Sequence, residues 1–216
     1  LYVQAQSRMN TGALPEALVL AEAGRSQTEK TDLVWNSMFR ILMAEIALWQ
    51  GQFPDALKLL EADPPPELPP EFVVRRKLIL GRASYAAARL EESDFFLSQA
   101  ERISAESAPE LKGESALARA TFFIYQHDYE KARQSLEYAL EFARGHKDVM
   151  LEAKTLGTFG IAFTREASYD DALDKLKAGL KLSQSLHARH VETGMLINTG
   201  WCYLELGDME QAEPLF

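Results

Sequence analysis

The chain has 216 residues, of which 47% are hydrophobic and 25% charged, and its 23 basic and 32 acidic side chains give a formal net charge of −9. This composition is too apolar for a disordered chain, and no apolar run reaches the roughly 18 residues that a membrane-spanning helix needs. An excess of carboxylates repels a phosphate backbone, so we do not expect a nucleic acid as a direct partner. The absence of a long apolar run means that we do not expect a membrane either.

A six-residue turn motif recurs along the chain at intervals of 37 to 40 residues. Each copy has a helix-breaking or small residue, a potential capping residue, a large apolar residue, two residues suited to a helix start, and a small residue. This order predicts that one helix ends and the next begins, because Gly tolerates a left-handed C-cap while Pro, Asp and Glu suit a first helical turn. The copies begin at Gly12, Gly51, Ala88, His127, Ala167 and Gly207.

The helical periodicity between these motifs predicts an all-α chain of twelve helices, paired into six antiparallel hairpins. In chain order, the predicted helices are 1–11, 14–26, 32–50, 53–62, 70–87, 90–104, 109–126, 129–145, 148–166, 169–186, 188–206 and 209–216. The corresponding hairpin repeats are 1–29, 32–68, 70–106, 109–146, 148–187 and 188–216. We expect them to stack as a single repeat domain, which we interpret as a piece of a longer chain.

The small residue that ends each motif has a partner twelve residues earlier that is always Gly or Ala. Small side chains at both places predict a close crossing of the two helices of each hairpin, because larger ones would hold the backbones apart. Large apolar residues four positions after the small residue that ends the motif are expected to fill the rest of the hairpin: Leu60, Leu97, Leu136, Leu176 and Phe216. The small pairs are Ala5 and Ala17, Ala44 and Ala56, Gly81 and Ser93, Ala120 and Ala132, Gly160 and Ala172, and Gly200 and Ala212.

A proline-rich segment, 63–70, interrupts this pattern between the second and third hairpins. Proline lacks the amide donor of a helix and restricts the residue before it, so the segment cannot be helical throughout. We expect a stiff connector, with a polyproline ligand for an aromatic groove as the alternative.

The repeats resemble the tetratricopeptide repeat. Its Leu-Gly-x-x-Tyr pattern is echoed by Leu80-Gly81, by Phe159-Gly160 with Phe163 and by Thr199-Gly200 with Tyr203, and its Ala-x-x-x-Phe pattern is echoed by Ala212 with Phe216. The period is longer than the standard 34 residues, and the usual Trp of the first helix and the closing Pro are missing. The pattern therefore looks like the extended variants of large bacterial regulatory proteins. The resemblance implies a right-handed superhelical solenoid.

The resemblance also implies that the first helix of each hairpin lines a concave peptide-binding groove. Aromatic residues together with Arg are typical of interface hot spots, so we expect a peptide or protein ligand with apolar and acidic groups. Packing between adjacent repeats is the alternative for Trp49, Tyr125 and Trp201. The principal groove candidates are Trp49, Arg75, Arg82, Tyr85, Tyr125, Lys154, Thr158, Arg165, Asn198 and Trp201. The same positions also include Ile41, Glu45, Leu48, Thr121, Ile124 and Glu205.

No residue pattern predicts catalysis, a cofactor or a metal site. His187 and His190 have a spacing that could share a metal, but no third ligand is evident, so we expect structural roles. Cys202 is the only cysteine and lies in an apolar stretch, so we expect it in the core of a protein from a reducing, cytoplasmic compartment.

These inferences favour a protein-interaction scaffold or adaptor over an enzyme. The alternative is a sensory or regulatory arm of a larger bacterial protein, such as a CHAT-type peptidase or a helical-arm transcription activator, which look like hosts of such arrays. Self-association through the terminal hairpins is a further alternative.

Overall fold

The computed structural model describes residues 1–216, which contain helices and no strands. They form two compact units, Leu1–Ala118 and Arg119–Phe216. The all-α prediction is confirmed, most helix ends lie within about one turn of the predicted ones, and the single repeat domain stays a prediction. The helices are α1 (Tyr2–Asn10), α2 (Leu14–Thr28), α3 (Leu33–Trp49), α4 (Phe53–Leu59), α5 (Pro70–Ala86), α6 (Leu90–Ser107), α7 (Lys112–Tyr125), α8 (Tyr129–His146), α9 (Val149–Arg165), α10 (Tyr169–Ser185), α11 (Arg189–Leu206) and α12 (Met209–Ala212).

The first residue of every turn motif has a positive φ, as the predicted left-handed C-cap requires. Three of the six positions hold a residue with a Cβ, for which this conformation is strained. The φ angles are 82° at Gly12, 72° at Gly51, 59° at Ala88, 61° at His127, 59° at Ala167 and 86° at Gly207.

The predicted close crossing lies inside each hairpin, because all twelve small residues are buried. A Cβ added at Gly81 would lie 2.7 Å from Leu97 Cδ2, and one added at Gly200 would lie 2.9 Å from Phe216 Cζ. Where the small turn residue is Ser93, its hydroxyl donates a 2.9 Å hydrogen bond to the carbonyl oxygen of Gly81. In these hairpins, the large residue four positions after the small residue of the second helix therefore packs directly on the small residue of the first helix.

Each unit has one first helix at its centre. In the first unit, α3 contacts α1, α2, α4 and α5, and it carries the fully buried Ile41, Leu42 and Ile46. In the second unit, α9 contacts α8, α10 and α11. Each central helix therefore contacts at least one other first helix of its own unit, α1 and α5 for α3 and α11 for α9.

A bond between successive hairpins recurs after one 40-residue repeat in the second unit. Arg144 Nε donates to Glu152 Oε1 at 2.8 Å, from the end of α8 to the first turn of α9. Gln184 Nε2 donates to Glu192 Oε1 at 3.2 Å, from the end of α10 to the first turn of α11. The two hydrogen bonds occupy the same repeat positions with donors of different charge.

Helix α4 is shorter than predicted, ending at Leu59 instead of residue 62. Two arginines from neighbouring first helices bind its carboxyl end. Arg40 Nε donates to the carbonyl oxygen of Leu59 at 2.9 Å, and Arg76 donates to those of Leu60 at 2.6 Å and Ala62 at 3.3 Å. The guanidinium groups thus satisfy carbonyls that a longer helix would have used internally.

Candidate functional site

In the first unit, the structure brings two predicted groove residues together. The guanidinium carbon of Arg82, on α5, lies 5.7 Å from the ring centroid of Trp49, on α3. Both side chains are partly buried, a geometry suited to a cation–π interaction. Tyr85 lies about one turn beyond Arg82 on the same helix and is also partly buried.

Arg75, another predicted groove residue, lies on α5 among acidic groups. Burial acts to lower the pKa of its guanidinium, but the carboxylates of Glu114, Glu45 and Glu71 and the Tyr2 phenol raise it, and the net pKa is above the usual value. Burial and Glu45 in turn raise the pKa of Tyr2 to about 12, against a smaller lowering by Arg75. The charge of Arg75 is therefore already compensated within this unit.

Three further positions implied by the resemblance do not face a groove. Ile41 is 2% exposed, Leu48 7% and Ile124 8%, so these side chains belong to the core. Their apolar character and their helical position both fit a groove floor, but they fall on the side of the helix that packs against its neighbours. The groove assignment of these three residues is wrong.

The second unit contains a pocket of about 320 Å³ between α9 and α11. It is lined by four of the predicted groove residues, the principal candidates Arg165, Asn198 and Trp201 together with Glu205. The remaining lining residues come from the same two first helices. We call it the α9–α11 pocket; its lining residues are Ile161, Thr164, Arg165, Asn198, Trp201 and Glu205.

Three polar side chains of this pocket, those of Arg165, Asn198 and Glu205, form no hydrogen bond or ion pair within the fold. Arg165 and Glu205 are exposed and form no ion pair or hydrogen bond, and the Asn198 amide forms no hydrogen bond within the chain. Trp201 is 51% exposed, and its ring centroid lies 5.8 Å from that of Phe216 in an edge-to-face arrangement. Charged, amide and aromatic groups are thus all available to a ligand at one place.

The other predicted residues of this unit lie outside the pocket lining. Lys154 and Thr158 precede it along α9, both partly buried, and the Thr158 hydroxyl donates to the Lys154 carbonyl oxygen at 3.1 Å. Tyr125, at the end of α7, is 45% exposed. The spacing from Lys154 through Thr158 to Arg165 keeps these side chains along one side of α9.

Ile161 and Thr164 line the pocket but were missing from the sequence prediction. The signal that identifies Ile161 is the repeat itself, because Ile161 precedes Trp201 by one 40-residue period. Thr164 has no such signal, since its counterpart Leu204 was not a candidate either. Its hydroxyl donates to the Gly160 carbonyl oxygen at 2.8 Å, which leaves mainly its methyl group for the pocket.

The remaining residues considered for chemistry have structural positions. Cys202 is fully buried in the core of the second unit, and burial is the main cause of the raised pKa of its thiol. His187 lies in the turn between α10 and α11 with a φ of 52°, and His190 lies in the first turn of α11. No group of three or more potential ligand side chains is placed to hold a metal, and no helix has the length and apolarity to cross a membrane.

Comparison with known proteins identifies the fold. No protein-family model matches the sequence, and no curated protein matches it significantly. Among solved structures, BtubC (BKLC) from P. vanneervenii is similar over 94% of this chain and 88% of its own, with a TM-score of 0.63 and 19% identity.

Two other similar structures are described by their repeats. A STAND (signal transduction ATPase with numerous domains) protein with a tetratricopeptide repeat sensor, from Pyrococcus horikoshii, matches 83% of this chain with a TM-score of 0.62 and 21% identity, and this chain spans 28% of that protein. A putative kinesin light chain with nearly identical TPR-like repeats, from Podosopora anserina, matches 82% of this chain and 89% of its own, with a TM-score of 0.53 and 16% identity. The tetratricopeptide-type helical repeat fold is therefore confirmed.

Proposed function

We propose that the chain is a protein-interaction scaffold that binds a peptide segment of a partner on its first helices, at the α9–α11 pocket. The observation that carries this proposal is the set of ligand-ready groups there: an unpaired Arg165, an unpaired Asn198 amide and a half-exposed Trp201 indole. Exposed aromatic and Arg side chains in a concavity are the usual anchors of protein interfaces.

The fold supports this role because packed helical hairpins offer a rigid surface. Little of the binding free energy is then lost to ordering the receptor when the ligand binds. A second candidate peptide-binding surface lies in the first unit and consists of its principal groove candidates, Trp49, Arg75, Arg82 and Tyr85. Since Arg75 is compensated by carboxylates and Arg82 lies on Trp49, the pocket in the second unit is the stronger candidate.

Selection of a random peptide library on the purified chain tests the proposal. We expect enriched peptides that bind the parent and lose binding to Trp201→Ala, because the half-exposed indole is the largest apolar group that lines the pocket. The matched control is Tyr138→Ala, which removes an aromatic of similar exposure (48%) from α8, outside the pocket. Failure to enrich any peptide, or equal loss in both folded variants, would overturn the assignment.

A second candidate function is that of a sensory or regulatory arm. It is favoured by the similarity to a protein whose tetratricopeptide repeats are described as its sensor and of which this chain spans 28%. The test is to delete residues 149–216 from the native polypeptide and to measure any activity of its remaining parts. An activity that changes on deletion supports the arm, and one that is insensitive to both deletion and bound peptide contradicts it.

A further inference from the structure

The α9–α11 pocket has one positive and one negative side chain at equivalent positions of its two helices. Arg165 and Glu205 are separated by one 40-residue repeat, so they occupy equivalent positions near the ends of α9 and α11. Both line the pocket and both are exposed, yet no nitrogen–oxygen pair between them comes within ion-pair distance. The pocket therefore has a cationic side and an anionic side that do not neutralise each other.

This arrangement changes the ligand expected from the sequence. An acidic and apolar ligand would pair with Arg165 but would bring its carboxylate close to Glu205, and repulsion between like charges opposes binding. A purely basic ligand has the converse problem. A segment that carries both charges satisfies both sides of the pocket.

The floor between the charged groups suits an apolar side chain. Ile161 and Trp201 are one repeat apart, as are Arg165 and Glu205, so they lie side by side one turn earlier along their helices. The Asn198 amide, one further turn back, can donate to and accept from a peptide group at the same time. A volume of about 320 Å³ lies at the small end of the range for ligand pockets, which limits the occupant to a few residues.

We propose that the α9–α11 pocket selects an extended peptide segment in which an acidic and a basic side chain flank an apolar one, with the acidic group on Arg165 and the basic group on Glu205. This inference rests on the proposed peptide-binding function. It adds a fixed direction to the bound segment, because exchange of its two charges would place each against a like charge.

Peptide selection on charge variants tests this direction. The same random library is selected on the parent, on Arg165→Glu, on Glu205→Arg and on the exchanged variant Arg165→Glu/Glu205→Arg. The parent should enrich segments with one order of acidic, apolar and basic residues. The exchanged variant should enrich the reverse order, whereas each single variant should enrich segments of one charge sign only.

Lys181→Glu is the matched control, since it reverses an exposed charge on α10 outside the pocket and should leave the enriched set unchanged. For one parent-selected peptide, neutralising either its acidic or its basic side chain should weaken binding roughly tenfold, as loss of one charge-assisted hydrogen bond does. Comparing free and amidated C-termini distinguishes a side-chain carboxylate from a terminal one. In the proposed complex, amidation has no effect.

The outcomes separate this inference from the function on which it rests. Peptides that bind the parent and lose binding to Trp201→Ala, but show the same charges and order in all charge variants, would overturn the directional inference and leave the peptide-binding function intact. Enrichment of no peptide by the parent would overturn both.

Discussion

Arg76 donates a 2.6 Å hydrogen bond to the carbonyl oxygen of Leu60, joining α5 to the residue that caps the carboxyl end of α4. The Arg76 side chain is buried, with 7% of the residue exposed, and its charge is compensated by carbonyl oxygens together with the nearby Asp63 carboxylate. The connector that follows is rich in proline and can supply few amide donors for these carbonyls. This one side chain therefore ties the second hairpin to the third.

We expect Arg76→Met to lower the free energy of unfolding by about 1–3 kcal/mol, because it leaves the buried Leu60 carbonyl without its donor. Urea denaturation followed by circular dichroism measures the change. Arg102→Met is the control, since it removes only an exposed ion pair with Glu106, which contributes little. Equal losses for the two variants would contradict the role of the buried contact.

Gly24, within α2, is buried against the ring of Phe39, and a Cβ added there would overlap that ring. Phe39 cannot easily move, because it is 4% exposed and the rings of Tyr2 and Trp35 pack on it. We therefore expect Gly24→Ala to destabilise the fold by about 1–3 kcal/mol, although Ala is the better helix former.

Gly145→Ala is the matched control for Gly24→Ala. Gly145 lies in α8 with no atom within 4 Å of an added Cβ, so the substitution should stabilise the fold by up to about 1 kcal/mol. Thermal unfolding of both variants is the measurement. A melting temperature that rises in both would show that Phe39 gives way at little cost.

The turn residue Ala167 has a φ of 59°, a conformation that costs an L-residue about 1 kcal/mol. We expect Ala167→Gly to raise the free energy of unfolding by up to about 1 kcal/mol, less the added entropy of the unfolded chain. The reciprocal variant Gly51→Ala, at φ 72° and with open space around it, should lose about as much. Shifts of the same sign in the two variants would refute this account of the turn.

Burial raises the pKa of Tyr2 from 10.0 to about 12, so the folded state favours the neutral phenol. The contribution of the Tyr2 phenol to the free energy of unfolding is fully present below pH 10. It is lost as the pH rises from 10 towards 12, because the phenol ionises at a lower pH in the unfolded chain than in the folded one. We expect the urea midpoint of Tyr2→Phe to fall less than that of the parent between pH 9 and pH 11. Tyr138→Phe, at an exposed tyrosine, should follow the parent, and a parallel decline in all three proteins would exclude a role for Tyr2.

The hairpins could be predicted from the sequence because their determinants are local. The residues that end one helix, and the small pairs such as Gly81 with Ser93, can be recognised in the sequence because the same residue types recur at a fixed spacing. The end of α4 could not be predicted, because it depends on Arg40 and Arg76, which are distant in sequence. Contacts of this kind leave no periodic signal.

The candidate site could be predicted only in part, for a geometric reason. The repeat assigns each residue to a helix position only to within about one residue, and neighbouring positions point about 100° apart around the helix. At the edge of the core, an error of one position decides whether a side chain is buried or exposed. Ile41 and Leu48 thus fall inside, whereas Trp201 is half exposed. The opposed charges of Arg165 and Glu205 become informative only once both are known to line one pocket.

The recurring bond from the end of one hairpin to the start of the next has a consequence for how such a chain can grow. Gln184 repeats the role of Arg144, and Glu192 that of Glu152, after one 40-residue period. An in-frame duplication of residues 149–188 would place Gln184 of the first copy before Glu152 of the second. Both copies would then keep a donor and an acceptor at every junction, so the gene could lengthen by one hairpin without losing this link.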